Sequence, residues 1–202
     1  MRLKIVQVGE AVLRAQAHAL SPQEIASIEI QQLIAHMKET MRDAPGVGLA
    51  APQVGLPLQL AVIEDSEENL KPLPPEDLAE RERRPVPFHV IINPKITTAS
   101  DRTVEFFEGC LSLAGFSAVV PRAHSVGVEC LDELGQARTI KASGWYARIL
   151  QHEIDHLNGG LYIDRMRSRT FSSLDNFSRF WKGKPVKEIQ AQLENEFSST
   201  SG

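Results

Sequence analysis

The stretch Gln151-His152-Glu153-Ile154-Asp155-His156 decides how the rest of the sequence is interpreted. Its two histidines are four residues apart, and positions with this spacing lie on one face of a helix, so both imidazoles can reach one metal ion. Glu153 projects close to that face and can hydrogen-bond a metal-bound water without binding the metal. The alternative is a solvated helix with two histidines and a chance glutamate. A helix predicted from Trp145 to about Asn158, ended by Gly159-Gly160, favours the metal site.

Two histidines leave a catalytic ion one protein ligand short, because open sites usually have three protein ligands and a water. The sequence patterns of zinc proteases do not supply this third protein ligand. Tyr162 stands where a metzincin has its third histidine, and the glutamate of a thermolysin-like enzyme is found only at Glu188, far along the chain. Asp164 and Asp175 remain candidates. Cys110 is a better one, because a thiolate binds borderline metals strongly and a Cys/His/His set leaves one position open.

The cysteine lies in the stretch Glu108-Gly109-Cys110-Leu111-Ser112, and the chain has only two cysteines. Gly109 permits close approach of a backbone to whatever the cysteine binds. A single cysteine is more often a small buried hydrophobe. We apply that interpretation to Cys130, which falls on the inward face of a predicted hairpin.

A third stretch, Gly46-Val47-Gly48-Leu49-Ala50-Ala51-Pro52-Gln53-Val54-Gly55, is too rich in small residues for an ordinary strand. A tight turn packed under a helix explains it. Alternatively, the small residues let a substrate backbone lie close, and Gln53 donates a hydrogen bond to charge developing on a carbonyl oxygen.

Composition limits the functional classes. With 202 residues, of which 42% are hydrophobic, the chain can bury a core, and one domain is expected. The net charge of −4 argues against nucleic acid as the main partner, so we expect no DNA binding. Charged or polar residues interrupt every apolar run before about 18 residues, so we expect no membrane span. The first residues resemble neither a signal peptide nor a transit peptide, which favours a cytoplasmic location, with bacterial origin expected.

The remaining pattern predicts an α+β fold. Ser21-Pro22-Gln23-Glu24 predicts the start of a helix that continues to before Pro45. Strands are expected at Leu58–Ile63 and Val90–Asn93, and a hairpin at 126–142. We expect short antiparallel or mixed sheets packed around a central helix that carries His152 and His156, with an N-terminal helix and a C-terminal helix that begins at Pro185.

The domain prediction divides the chain into a catalytic domain, residues 1–166, and a C-terminal extension, residues 167–202, with a short helix and a frayed tail over Ser198–Gly202. Residues 64–88, rich in proline, carboxylates and arginines, have little to bury. We interpret them as a solvated and partly mobile surface insertion. A functional lid is the alternative.

Taken together, the three stretches around Gly48, Cys110 and His152 resemble, in order, the signature motifs of the peptide deformylase family. The resemblance covers residues 2–164. It implies removal of the N-terminal formyl group from nascent polypeptides, with a metal-activated water as the nucleophile. It also implies Fe²⁺ as the native ion, with zinc, nickel or cobalt as substitutes. Residues 113–116 and 143–145 are more similar to the organelle-type branch than to the commonest bacterial form, and residues 64–88 are longer than a compact deformylase needs.

The resemblance also implies a role for each matched residue. The metal ligands are Cys110, His152 and His156, and the general acid/base is Glu153. The side chain of Gln53 and the backbone N–H of Leu111 hold the developing oxyanion. The substrate-binding residues are expected to be Val47, Gly48, Gly109, Trp145 and Ile149.

The formylated nascent peptide is the expected substrate and partner. Basic residues at Arg179, Lys182, Lys184 and Lys187 are candidates for contact with the ribosome, although a solvated face also explains them. Two rival functions remain at this point. One is a zinc endopeptidase, and the other is a metal-binding deformylase fold without activity.

Overall fold

The computed structural model describes residues 1–198; of the predicted tail Ser198–Gly202, residues 199–202 lie outside them. The strands are β1 (Gly48–Ala50), β2 (Leu60–Asp65), β3 (Val86–Ala99), β4 (Thr103–Cys110), β5 (Leu113–Ala123), β6 (Ser125–Leu131), β7 (Ala137–Ser143) and β8 (Ser172–Ser173). The helices are α1 (Pro22–Ile25), α2 (Ile28–Asp43), α3 (Glu67–Leu70), α4 (Pro75–Glu80), α5 (Gly144–Leu157), α6 (Leu174–Asn176) and α7 (Val186–Ser198).

A five-stranded antiparallel sheet separates the two main helices. Its strand order is β1-β2-β3-β6-β7. Side chains on β2 alternate between its faces, as the two-residue period of a strand requires. Ala61 and Ile63 join a core with α5, whereas Leu60 and Val62 join a core with α2. Both helices therefore pack on the same sheet from opposite sides.

A second antiparallel sheet, in the order β4-β5-β8, covers the other side of α5. Its small core contains Leu113, Ala118, Val120 and Tyr162. Cys110 and Leu113 are paired where β4 turns into β5. Helix α5 is therefore central, as predicted, and the α+β class is confirmed.

The N-terminal helix differs from the prediction because the chain contains two caps. Ser21 and Glu24 form the predicted capping box, but α1 ends at Ile25. Ser27 then accepts a hydrogen bond from the N–H of Ile30 and begins α2. One predicted helix is therefore two, because a second serine provides another N-terminal cap.

The strand predicted at Val90–Asn93 is too short. Strand β3 continues through Pro94 to Ala99, with irregular pairing between Ile92 and Lys95. Asn93 adopts a positive φ of 51° there, and proline is tolerated at such a bulge because no ladder N–H is needed. The stretch 46–55 was also only partly predicted, since residues 48–50 form a short edge strand.

The hairpin of β6 and β7 and the helix α5 follow the prediction. Asp132 accepts hydrogen bonds from the N–H groups of Leu134 and Gln136 and so shapes the turn of the hairpin. Gly159 follows α5 with a φ of 75°, a conformation that suits glycine at a helix end. Helix α7 begins one residue after Pro185.

Residues 64–88 bury more than their composition indicates. Asp65 is fully buried and accepts two hydrogen bonds from Arg83, at 2.7 and 3.0 Å. The carbonyl of Arg81 accepts a hydrogen bond from the N–H of Trp145 at 2.9 Å. At Gly144 an added Cβ would lie 2.8 Å from that carbonyl oxygen, so glycine permits this close contact. The segment is therefore attached to the start of α5.

The chain after Tyr162 returns to the second sheet. Strand β8 pairs with β5, and a π-helical turn at Phe177–Trp181 places Phe177 against Phe107, with ring centres 4.7 Å apart. Across residues 1–198, no helix combines the length and apolar character needed to cross a lipid bilayer.

Candidate metal centre

Three side chains form a cluster suited to a metal ion. The ligand atoms of Cys110, His152 and His156 all lie within 4.8 Å of one another. The Sγ of Cys110 is 3.2 Å from Nε2 of His156. A tetrahedral ion with ligands at about 2.0–2.3 Å separates its donors by about 3.3–3.7 Å. The donor set and its spacing therefore fit one divalent ion.

Glu108 orients one of these ligands. Its carboxylate contacts Nδ1 of His152 at 3.0 Å, which leaves Nε2 of that ring for an ion. The same carboxylate accepts hydrogen bonds from Arg122, twice at 2.9 Å, and from Arg148 at 2.6 Å. Burial opposes its ionisation, but the hydrogen bonds with His152 and Arg122 hold the pKa of Glu108 far below its usual value. A buried ionic network thus fixes the ring of His152.

Glu153 has a buried carboxylate with an unsatisfied hydrogen-bonding oxygen. Its exposed fraction is 3%, and its Oε2 has no hydrogen-bond partner within residues 1–198. Burial raises the pKa of Glu153 to about 7. Gly48 lies directly against it, because a Cβ at that position would come within 2.2 Å of Oε1. An unpartnered carboxylate beside a metal cluster is suited to bind a water molecule or an amine.

Gln53 contacts the thiol of Cys110. Its side-chain Nε2 is 3.4 Å from Sγ of Cys110 and 3.3 Å from Oγ of Ser112. Its Oε1 accepts a hydrogen bond from the N–H of Ala50 at 2.8 Å, which fixes the orientation of the amide. The donor end of Gln53 therefore points toward the candidate metal ligands.

The cluster opens into a cleft of about 600 Å³. Every residue named as a site residue from the sequence, except His156, lines this cleft: Val47, Gly48, Gln53, Gly109, Cys110, Leu111, Trp145, Ile149, His152 and Glu153. His156 lies behind them, in contact with Cys110. The structure thus brings all the predicted residues together at one place.

Several cleft residues were not predicted. Arg81 and Arg83 come from the insertion, Arg148 from α5, and Leu174 and Phe177 from the C-terminal segment. Arg148 had a usable signal, because it precedes His152 by one helical turn and so shares its inward face. Nothing in the local sequence connects the other four with the cleft.

Comparison with known proteins identifies the family. The family model for polypeptide deformylase matches residues 2–172. The chain belongs to the polypeptide deformylase family. Peptide deformylase 1A, chloroplastic, of Solanum lycopersicum is 49% identical over 172 residues, which is 85% of this chain and 62% of the relative. Peptide deformylase 1 of Bifidobacterium longum is 45% identical over 190 residues, which is 94% of this chain and 84% of the relative.

The chain therefore spans slightly less than two thirds of the length of that plant deformylase, but most of the bacterial one. A solved structure supports the fold: the class I type b peptide deformylase of Acinetobacter baumannii, with Met-Ala-Ser bound, has a TM-score of 0.73 and is 32% identical. The alignment covers 82% of this chain and 99% of that deformylase.

Proposed function

We propose that this chain is a metal-dependent peptide deformylase, which hydrolyses the formyl amide of formyl-methionyl peptides to formate and a free amine. The observation that carries the proposal is the cluster of Cys110, His152 and His156 beside the unpartnered carboxylate of Glu153. Family membership and the Met-Ala-Ser peptide bound to the Acinetobacter baumannii relative support this reaction over that of a zinc endopeptidase.

Cys110, His152 and His156 hold the ion in this proposal. When bound, the ion supplies Lewis acidity that makes a water molecule nucleophilic near neutral pH. We assign Fe²⁺ from the family resemblance, and the same ligands suit zinc, nickel or cobalt.

Glu153 moves the proton. Its carboxylate accepts a proton from the attacking water and then delivers one to the departing amide nitrogen, so that formate and the amine leave. Its pKa near 7, raised by burial, suits a group that must both accept and donate a proton. Proton transfer by a positioned side chain of this kind typically accelerates a reaction by about 10²–10⁴-fold.

Gln53 and Leu111 stabilise charge on the formyl oxygen. The amide of Gln53 is held by Ala50 and directs its Nε2 toward the cluster, and the backbone N–H of Leu111 follows the cysteine in the same turn. In other enzymes, removal of one such hydrogen-bond donor raises the activation free energy by about 2.7–4 kcal/mol.

The substrate backbone lies along β1. Within residues 1–198, this strand pairs with β2 alone, so no other strand covers its second edge, and Val47 and Gly48 line the cleft. An extended peptide can add to such an edge through main-chain hydrogen bonds. Gly109 permits close approach of the peptide, and Trp145 and Ile149 form walls for the methionine side chain.

The proposal is tested with protein purified without oxygen, because a ferrous ion and its thiolate ligand are vulnerable to oxidation. Metal content is measured first, and then formate release from formyl-Met-Ala-Ser. We expect about one ion per chain and turnover of the peptide. Glu153→Ala is the matched variant: it should retain the ion, and its turnover should fall about 10²–10⁴-fold. Metal-loaded protein that releases no formate would instead support a metal-binding module without activity.

We further propose that the natural substrates are nascent chains, encountered in a bacterial cytoplasm. Lys182, Lys184 and Lys187 are exposed near the start of α7 and can contact ribosomal RNA. Neutralising all three should weaken salt-dependent binding to ribosomes. Unchanged affinity would remove the ribosome from the proposal and leave the hydrolase activity untouched.

A further inference from the structure

Arg81 brings an unusual positive charge to the cleft. It belongs to the insertion 64–88 and lines the cleft beside Trp145. Its guanidinium carbon is 5.0 Å from the ring centre of Trp145 and 5.4 Å from that of Phe106. Contact with aromatic rings occupies the face of a guanidinium, but its N–H donors lie in the plane of the group and remain available.

Two other guanidiniums near Trp145 are already neutralised. Arg83 forms a paired contact with the buried carboxylate of Asp65. Arg148 contacts Glu108 at 2.6 Å. Within residues 1–198, by contrast, the Arg81 side chain has no hydrogen bond and no ion pair. Of the three arginines near Trp145, Arg81 is therefore the one without a carboxylate partner in this part of the chain.

The position of Arg81 is fixed although its charge is unpaired. Its carbonyl binds the N–H of Trp145, and Gly144 lies tightly against the same carbonyl. Burial lowers the pKa of Arg81, and Asp77 and Glu80 offset that effect only from a distance. The guanidinium nevertheless keeps its charge, because an arginine is not deprotonated in proteins. A partly desolvated cation held at the wall of a cleft favours binding of an anion.

We propose that Arg81 is a specificity-determining residue that binds a carboxylate of the substrate peptide, carried by an acidic side chain shortly after the formyl-methionine. This inference rests on the proposed function, because it assumes that formyl-methionyl peptides occupy the cleft. A carboxylate matches the planar fork of arginine through two parallel hydrogen bonds. Aspartate and glutamate are the side chains of a peptide that offer one.

Matched pairs of peptides test the inference. One pair is formyl-Met-Glu-Ser and formyl-Met-Gln-Ser, and the other is formyl-Met-Ser-Glu-Ala and formyl-Met-Ser-Gln-Ala. We expect the glutamate peptide of one pair to have a kcat/KM about tenfold higher, mainly through KM, since a hydrogen bond to a charged group typically contributes about that much. The position of the preferred glutamate then locates the residue that Arg81 contacts.

Three variants identify the origin of the preference. Arg81→Gln should remove it, and Arg81→Lys should keep part of it, since lysine retains the charge but not the fork. Arg84→Gln is the matched control, because Arg84 is an exposed arginine of the same segment outside the cleft lining, and it should keep the full preference.

Three results would overturn the inference. The first is an equal kcat/KM for the two peptides of both pairs in the wild type, and the second is a preference for glutamate that persists in Arg81→Gln. The third is a fall in kcat/KM in Arg81→Gln that is equal for all peptides, which indicates a structural role. Calorimetric binding of Met-Glu-Ser, Met-Gln-Ser, Met-Ser-Glu-Ala and Met-Ser-Gln-Ala gives the same comparison without turnover. If no formyl peptide is hydrolysed but the affinities differ as expected, the proposed function fails and the role of Arg81 stands.

Discussion

Replacing Gly48 with alanine should disable Glu153 without changing a metal ligand. The added Cβ would lie 2.2 Å from Oε1 of Glu153, 2.6 Å from Cδ and 2.8 Å from Cγ. Carbon atoms in contact prefer about 3.5–4.0 Å, so the carboxylate must move by about 1 Å. Gly48 has no positive φ, so the substitution should cause this clash without backbone strain.

The expected loss follows from the displacement. A misplacement of about 1 Å can cost about 10²-fold in rate, which is within the 10²–10⁴-fold contributed by positioned proton transfer. We therefore expect kcat for formyl-Met-Ala-Ser to fall about 100-fold in Gly48→Ala, with metal content and circular dichroism unchanged. Formate release at saturating peptide measures kcat, and its dependence on peptide concentration gives KM.

A double-mutant cycle separates this effect from a direct effect on the substrate, because Gly48 also lies where the peptide is proposed to bind. Glu153→Ala removes the three atoms that lie nearest to the new methyl group. In that background, Gly48→Ala should cause little further loss. An equal loss in both backgrounds, or full activity of Gly48→Ala alone, would refute the reasoning.

Three further predictions concern other parts of the molecule. Cys110→Ala should lose most of the bound metal, measured by elemental analysis after anaerobic purification, whereas Cys130→Ala should retain it; a fully metallated Cys110→Ala would contradict the ligand assignment. Burial raises the pKa of Cys130 to about 11, so stability should be complete below pH 9 and fall by up to about 2 kcal/mol between pH 9 and 11, where only the unfolded thiol ionises. Buried Tyr146 and Tyr162 also have raised pKa values, so urea unfolding should show a fall in both proteins that is larger in the wild type than in Cys130→Ala; equal falls would argue against the effect of Cys130. Phe177→Ala should raise KM several-fold with kcat unchanged, because it removes a cleft wall that packs on Phe107; steady-state kinetics with an unaltered KM would exclude that wall from substrate binding.

The candidate metal site was predictable because its geometry is largely local. His152 and His156 share a helical face, and the order of the three motifs indicated Cys110 as their companion. The hairpin after Ser125 and the end of α5 at Gly159 were likewise predictable, since turn and capping residues act on their immediate neighbours.

Features that depend on distant contacts could not be predicted. Polar residues 64–88 appeared solvated, but Asp65 and Arg83 pair with each other in a buried position. Arg81 reaches the cleft because its carbonyl meets the start of α5, more than 60 residues later in the chain. The break before α2 has a local cause: Ser27 is a second good N-terminal cap, whereas the prediction used only the cap at Ser21.

The short length of strand β1 limits how much of a bound peptide the strand can pair with. Three residues, Gly48–Ala50, offer main-chain partners for only one or two residues of a bound peptide, so most of a new polypeptide remains outside the register of the strand. In the proposed complex, recognition through the backbone along this strand would not depend on the side chains of the peptide, so a preference such as that proposed for Arg81 must come from contacts outside the strand. The brevity of the strand also protects it, because a long unpaired edge promotes aggregation with other extended chains.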